Sequence, residues 1–224
     1  MTPPETIALL LEVIDAVSRD ITLDEGALVL GGIARSIDRA LLGALAAVER
    51  DAPFRHLVTP GGRPMSVAMT NCGAAGWVSD RSGYRYDTID PESGKRWPAM
   101  PGVFADFAAC AAAAAGFPEF APDVCLINRY GPGARLSLHQ DRDEHDLGHP
   151  IVSVSLGLPA IFLWGGRKRA DRPRRVPLFH GDVVVWGGPA RMTFHGVHAL
   201  GEGHHPLTGS LRYNLSFRRA LDKT

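Results

Sequence analysis

Three side chains in the second half of the chain have the types and spacing to hold a metal ion. His139 and Asp141 stand two apart in Leu138-His139-Gln140-Asp141, and His195 lies in Thr193-Phe194-His195-Gly196. Two imidazoles and one carboxylate form the facial triad that binds non-haem Fe(II) and leaves positions open for a co-substrate and oxygen. A lone His-x-Asp is common, and by itself it reads as two hydrogen-bonded polar residues. The segment Leu211-Arg212-Tyr213-Asn214-Leu215-Ser216-Phe217-Arg218 adds weight. In a strand, residues i and i+2 share a face. Arg212, Asn214, Ser216 and Arg218 therefore share one face, and Leu211, Tyr213, Leu215 and Phe217 the other. The apolar face must pack, so the polar face lines either solvent or a cavity. The two arginines are about 20 Å apart along such a strand. Each side chain reaches roughly 6–7 Å by ordinary bond lengths, which leaves a gap about the length of a five-carbon dicarboxylate. Guanidinium forks bind carboxylates bidentately. These residue types point to an iron-dependent oxygenase with an anionic co-substrate.

The elements that must position these groups are short strands. His139 and Asp141 share a face with Ser137 on a strand at 136–141. His195 comes from a later strand, at 192–197. Further strands are expected at 124–130, 151–156, 160–165, 181–186 and 211–218, punctuated by Gly-Pro-Gly, Gly-Leu-Pro and Gly-Gly-Pro. Many short strands at this spacing suggest a β-sandwich or jelly roll. Leu126, Asn128 and Tyr130 alternate onto one face of the first, with Cys125, Ile127 and Arg129 on the other. An amide and a phenol there could orient an oxygen-rich ligand, although a half-buried strand is the plainer reading of that segment alone. Ahead of the strands, residues 5–19 and 36–51 read as amphipathic helices. In the second, Ile37, Leu41, Leu42, Leu45 and Val48 share a face and Ser36 is a plausible N-cap. Pro101 opens a helix that runs through Ala111–Ala115 to Gly116. Between them, residues 52–97 are rich in Gly, Pro, Thr, Ser and Asn. They carry Phe54, Trp77, Tyr84, Tyr86 and Trp97, the composition of a functional lid. The expected organisation is one α+β domain in three parts: an N-terminal helical segment over 1–51, a lid over 52–100, and a helix plus jelly-roll core over 101–219.

With 224 residues and 45% apolar content, the chain can bury a sizeable core. Its 24 basic and 24 acidic residues cancel, which excludes a strongly basic surface overall but leaves local patches open. One such patch is Arg167-Lys168-Arg169-Ala170-Asp171-Arg172-Pro173-Arg174-Arg175, a solvated loop or a phosphate contact. Cys72, Cys110 and Cys125 show neither a disulfide framework nor metal-ligand spacing, which fits a reducing cytoplasm. The N-terminus has no basic leader, and Glu12 and Asp15 break its apolar run, so it reads as neither signal peptide nor membrane span.

Longer stretches resemble a known family. They include Val58-Thr59-Pro60-Gly61-Gly62, the run Met65–Gly73, Trp97-Pro98-Ala99-Met100-Pro101 and Leu126-Ile127-Asn128-Arg129-Tyr130. They continue through Leu136–Asp141, Ile151–Pro159, Gly181–Gly188 and Arg212–Arg218. Together they resemble the AlkB-type iron- and 2-oxoglutarate-dependent nucleic-acid demethylases over about residues 53–219, and the lid segments are similar to the bacterial DNA-repair members. The resemblance implies a double-stranded β-helix, with Fe(II) on His139, Asp141 and His195 and with 2-oxoglutarate and O2 as co-substrates. Arg212 would grip the distal carboxylate, and Arg218 would lie near the metal-bound end beside Asp141. Leu126, Asn128, Tyr130 and Asn214 would line the co-substrate cavity. A flipped base would stack between Trp77 and the His139 ring. Asp143 would read its amino edge, while Met69, Tyr84 and Arg169 would contact the substrate. The implied reaction is oxidative demethylation of 1-methyladenine- and 3-methylcytosine-type bases in single- or double-stranded DNA, and in RNA. It would be coupled to decarboxylation of 2-oxoglutarate to succinate, with formaldehyde released. The expected enzyme is a cytoplasmic monomer. One alternative stays open from the residues, the same iron chemistry on a protein or small molecule. A non-enzymatic nucleic-acid binder should have lost His139, Asp141 or Arg212, and a cupin-like isomerase would not explain the paired arginines.

Overall fold

A computed structural model describes residues 19–221 of the chain. All but the last residue of the helix expected over 5–19 lies outside them. Two sheets lie face to face in a double-stranded β-helix. The large one has the order β1-β2-β12-β9-β14-β7-β4-β3 and the small one β11-β10-β13-β8. The central strands of the large sheet are β7 (Val124–Tyr130), β9 (Ile151–Gly157), β12 (Val183–Trp186) and β14 (Arg212–Arg218). Both of its faces are covered. The helices α1 (Asp38–Asp51) and α2 (Gly102–Ala114) cover the outer one, where Leu41, Leu45, Phe104 and Ala108 pack on Ile127, Val154, Leu215 and Phe217. The inner face meets the small sheet: Leu126, Tyr130 and Trp186 pack against Phe162, Trp164, Val176 and Leu178. Burial on both sides explains why β12, Val-Val-Val-Trp, reads as a continuous apolar run, whereas β9 turns Ser153 and Ser155 to Asn214 and Arg212. On β7 and β14 the expected alternation holds. Leu215 and Phe217 join the helix-side core, while Arg212, Asn214, Ser216 and Arg218 line a cavity between the sheets.

The small sheet is made of β8 (Leu136–His139), β10 (Ala160–Trp164), β11 (Arg174–Leu178) and β13 (His195–Val197). Strand β11 was not expected from sequence. It begins inside the basic run, and the charges of Arg174 and Arg175 hide the alternation of Val176 and Leu178.

The N-terminal part differs from the helical segment expected over 1–51. Residues β1 (Ile21–Asp24) and β2 (Ala27–Leu30) form a hairpin that extends the large sheet beyond β12. Gly26 makes the turn at φ 77°, a conformation that favours glycine. The expected cap of the second helix is also corrected. A 3-10 turn at Arg35–Ile37 precedes α1, and Ile37 occupies the cap position with no side-chain bond, so Ser36 does not cap it. Asp38 in the first turn places a carboxylate at the positive end of the helix dipole. The aromatic-rich part divides in two. Strands β3 (Arg55–Val58) and β4 (Pro64–Gly73) belong to the large sheet, and Val67–Cys72 is buried. Only β5 (Gly76–Asp80) and β6 (Gly83–Asp87) stand apart as a two-stranded hairpin.

Candidate active site

Strands β8 and β13 are paired in the small sheet with His139 directly opposite His195. Gly196 allows that approach, because a Cβ there would lie 2.6 Å from the Leu136 carbonyl oxygen. The two imidazole rings are 4.5 Å apart, and Trp186 closes over His195 with its ring centroid at 4.9 Å. Each histidine is oriented by its own strand. His139 Nδ1 lies 2.8 Å from the Ser137 carbonyl oxygen, and His195 Nδ1 lies 3.0 Å from that of Thr193. A carbonyl only accepts, so both Nδ1 atoms carry a proton, and in the neutral rings the lone pair sits on Nε2. Those Nε2 atoms face Asp141, at 3.5 Å from Oδ1 and 3.8 Å from Oδ2. One ligand atom from each of His139, Asp141 and His195 lies within 4.8 Å of the others. Burial, reinforced by the nearby His139, pushes the His195 imidazole down to about 4, so it is neutral at pH 7.

Asp141 is positioned differently from the expectation. β8 ends at His139, and Asp141 lies in the loop beyond it. Strand alternation does not aim it; two arginines do. Arg218 on β14 donates to Oδ2 from Nη2 at 2.6 Å and from Nε at 3.1 Å. Arg191 donates to the Asp141 backbone carbonyl at 2.6 Å. Glu144 joins the two, lying 3.0 Å from Arg191 Nη2 and 3.2 Å from Arg218 Nε. The Tyr86 hydroxyl on β6 donates at 2.8 Å to Glu144 Oε1, the oxygen that also faces Arg218. Burial opposes a charge on Asp141, yet Arg218 and His139 hold its carboxyl well below the usual carboxylate range. Sequence reading missed Glu144 and Arg191. Their types gave no signal, because Glu144 sits in a charged loop and Arg191 follows Gly-Gly-Pro-Ala.

The other end of the same cavity is not neutralised. Arg212 is 1% exposed and donates from Nη2 to the Ser155 hydroxyl at 3.1 Å. Its Nε and Nη1 are buried with no partner, as is Asn128 Oδ1. Tyr130 lies beside it, with the guanidinium 5.8 Å from the ring centre, and burial pushes its phenol up to about 12. Leu126 lines the same space. Asn214 lines it too, but its amide nitrogen donates to Ser153 Oγ and the Val154 carbonyl, and its Oδ1 accepts from Ser216. Its amide therefore braces the sheet.

The cavity has a volume of about 870 Å3 and is lined in part by Met69, Trp77, Tyr84, Asp143 and Arg169, of which Tyr84 and Arg169 are exposed. All five expected substrate residues thus line one space with the triad. Trp77 and Tyr84 stack at 5.5 Å and 12° across the β5–β6 hairpin. The indole N–H of Trp77 donates to Asp143 Oδ2 at 2.8 Å. The sequence reading did not anticipate that bond, which joins the hairpin to the loop carrying the metal ligand.

The model of the 2OG-Fe(II) oxygenase superfamily matches residues 27–218. The chain belongs to that superfamily, within its AlkB family. It is 57% identical over 201 residues to the alpha-ketoglutarate-dependent dioxygenase AlkB of Escherichia coli K12, covering 90% of this chain and 93% of that one. The AlkB of Salmonella typhimurium is 56% identical over the same shares of each chain. The solved structure of OsALKBH1 superposes with a TM-score of 0.75 at 29% identity, covering 88% of this chain and all of that one. The enzyme is accordingly an Fe(II)- and 2-oxoglutarate-dependent dioxygenase. Its residues fit both groups. The triad offers two imidazole lone pairs and a carboxylate, the donor set of non-haem iron. The orphaned N–H groups of Arg212 call for an anion in a buried place where an unpaired donor is costly.

Proposed function

We propose that this dioxygenase removes methyl and related alkyl groups from ring nitrogens of nucleic-acid bases, of the 1-methyladenine and 3-methylcytosine type, in DNA and RNA. The observation that carries this reading is the continuity of one cavity, from the orphaned Arg212 past the triad to an aromatic mouth. His139, Asp141 and His195 hold iron, and Arg212 receives the distal carboxylate of 2-oxoglutarate. Asn128, Tyr130 and Leu126 shape the space around the co-substrate. Bound iron, with 2-oxoglutarate and oxygen, would supply oxidation of the carbon attached to the ring nitrogen; a methyl would then leave as formaldehyde while 2-oxoglutarate becomes succinate and CO2.

The protein supplies placement and exclusion of water. Arg218 leaves Asp141 one oxygen for the metal, because it engages the other. Phe162 and Trp186 flank His195 and keep the metal end dry. At the mouth, Tyr84 backs one face of the Trp77 indole, and the opposite face is assigned to the flipped base. Asp143 keeps Oδ1 for an exocyclic amino group while Oδ2 holds Trp77. A carboxylate there favours bases made cationic by N-methylation. Met69 and Arg169 border the nucleotide. We assign a monomer working in the cytoplasm. Among the described residues no helix is long and apolar enough to cross a membrane, and Cys72, Cys110 and Cys125 are free thiols.

The test is formaldehyde release from oligonucleotides carrying each methylated base, with iron and 2-oxoglutarate supplied. Formaldehyde and succinate in equal amounts from 1-methyladenine or 3-methylcytosine support the reading. Turnover of 2-oxoglutarate that no methylated oligonucleotide stimulates would move the substrate to a protein or small molecule.

A further inference from the structure

The basic run at 167–175 holds six cations and one acid, Asp171. The acid is engaged within the loop, where its Oδ2 accepts from the Lys168 backbone N–H at 2.9 Å. Two cations pin the ends. Arg167 donates to the Pro189 carbonyl at 2.6 Å, and Arg174 to that of Leu23 at 2.9 Å. Four remain: Lys168, Arg169, Arg172 and Arg175 are exposed and make no side-chain hydrogen bond or ion pair among the described residues. Arg169 borders the cavity, whereas the other three do not line it. Arg175 stands on the outer face of β11, opposite the inward Val176 and Leu178, at the edge of the small sheet. A charged edge strand also blocks edge-to-edge pairing, but Lys168 and Arg172 precede the strand and guard no edge. Because the whole chain is neutral, this concentration of free positive charge is local rather than a sign of general basicity.

We propose that Lys168, Arg172 and Arg175 form a phosphate track that holds the nucleic-acid backbone beyond the nucleotide in the cavity. The inference rests on the dealkylase reading and deepens it, since it predicts preference for longer strands. Each phosphate neutralised contributes about 0.7 to the slope of log affinity against log salt on a single strand and about 0.9 on a duplex. Three cations therefore account for roughly two units of slope on single-stranded DNA.

The experiment compares the wild type with the triple variant Lys168→Ser, Arg172→Ser, Arg175→Ser, both loaded with iron and 2-oxoglutarate. Fluorescence anisotropy reports binding of a 3-methylcytosine trinucleotide and of a strand of about fifteen nucleotides, from roughly 50 to 200 mM salt. Formaldehyde release is followed on the same two substrates. The expected result is a slope lower by about two on the long strand, a lost advantage of long over short, and unchanged trinucleotide turnover. A companion variant with Arg172→Lys and Arg175→Lys keeps the slope, because a phosphate contact of this kind needs charge rather than a planar fork. Equal slopes and equal long-to-short ratios in wild type and triple variant would overturn the track and leave the dealkylase reading standing. Absence of formaldehyde from either protein would sink the dealkylase reading, while the anisotropy slopes still decide the track.

Discussion

Strand β14 carries an arginine at each end of its cavity face, and the two are in opposite electrostatic states. Arg218 lies among carboxylates: Asp141 takes two of its N–H groups, and Glu144, itself bridged to Arg191, lies against it. Burial works against its charge, but Asp141, Tyr86 and Glu144 raise its affinity for the proton well above the ordinary value. Arg212 has a serine hydroxyl and an aromatic face, and burial lowers its affinity for the proton. The metal end is thus a finished network of two cations and two anions. The distal end is a cation with unsatisfied donors, built for an anion that arrives with the co-substrate. One strand face serves both tasks because the loop after β8 delivers carboxylates to one end only.

The comparison can be broken at either end. The largest effect belongs to Asp141→Ala, which removes a proposed iron ligand and strands Arg218. Turnover should vanish and iron affinity, read by titration calorimetry, should drop. Stoichiometric iron and full activity would end the assignment. Next comes Arg212→Ala. A buried bidentate pair that loses one partner costs about 3–5 kcal/mol, so the 2-oxoglutarate requirement should rise by orders of magnitude. Arg212→Lys should restore only part of it. Without co-substrate, Arg212→Met should melt no lower than wild type, since it removes an unpaired buried charge. Arg218→Met should do the reverse: leaving Asp141 and Glu144 short of a partner should cost about 3–5 kcal/mol in thermal unfolding of the metal-free protein. Equal melting behaviour in those two variants would erase the contrast between the ends.

Smaller effects belong to the mouth and the hairpin. Base–aromatic stacking is worth roughly 1–3 kcal/mol, so Trp77→Ala should weaken use of methylated substrate about five- to a hundredfold. Turnover of 2-oxoglutarate without substrate should change much less. Asp143→Ala should narrow the gap between cationic bases and the neutral methylated G and T. It also frees the Trp77 indole, so an unchanged base preference would leave Asp143 as a brace for Trp77 alone. The smallest effect concerns Asp90, which accepts from both Arg55 Nη atoms, the Ser93 hydroxyl and the Glu92 N–H beside the hairpin. Burial raises its pKa, but these bonds outweigh it and the net shift is downward. Its contribution to stability is full above about pH 4 and fades as pH falls through its lowered value. Asp90→Asn should therefore melt lower than wild type at pH 7, and the difference should shrink at pH 3.

What sequence alone determined is whatever depends on period and residue type. Arg212, Asn214, Ser216 and Arg218 had to share a face because a strand repeats every two residues, and the apolar opposite face had to pack. The jelly roll followed from short runs broken by glycine and proline. The triad was legible as a His-x-Asp with a distant histidine, and the long matching runs named the family. Tertiary structure decided what spacing could not. The hairpin β1–β2 escaped notice because each strand has only four residues and β2, Ala27–Leu30, is apolar throughout, a pattern that does not distinguish strand from buried helix. Asp141 sits past its strand, so only the arrival of Arg218 and Arg191 from elsewhere in the chain fixes it. Glu144 and Arg191 are 47 positions apart and meet only when the sheets close. The two arginines of β14 look alike in sequence. Which one is satisfied and which one waits for a ligand depends on the partners the fold brings through space.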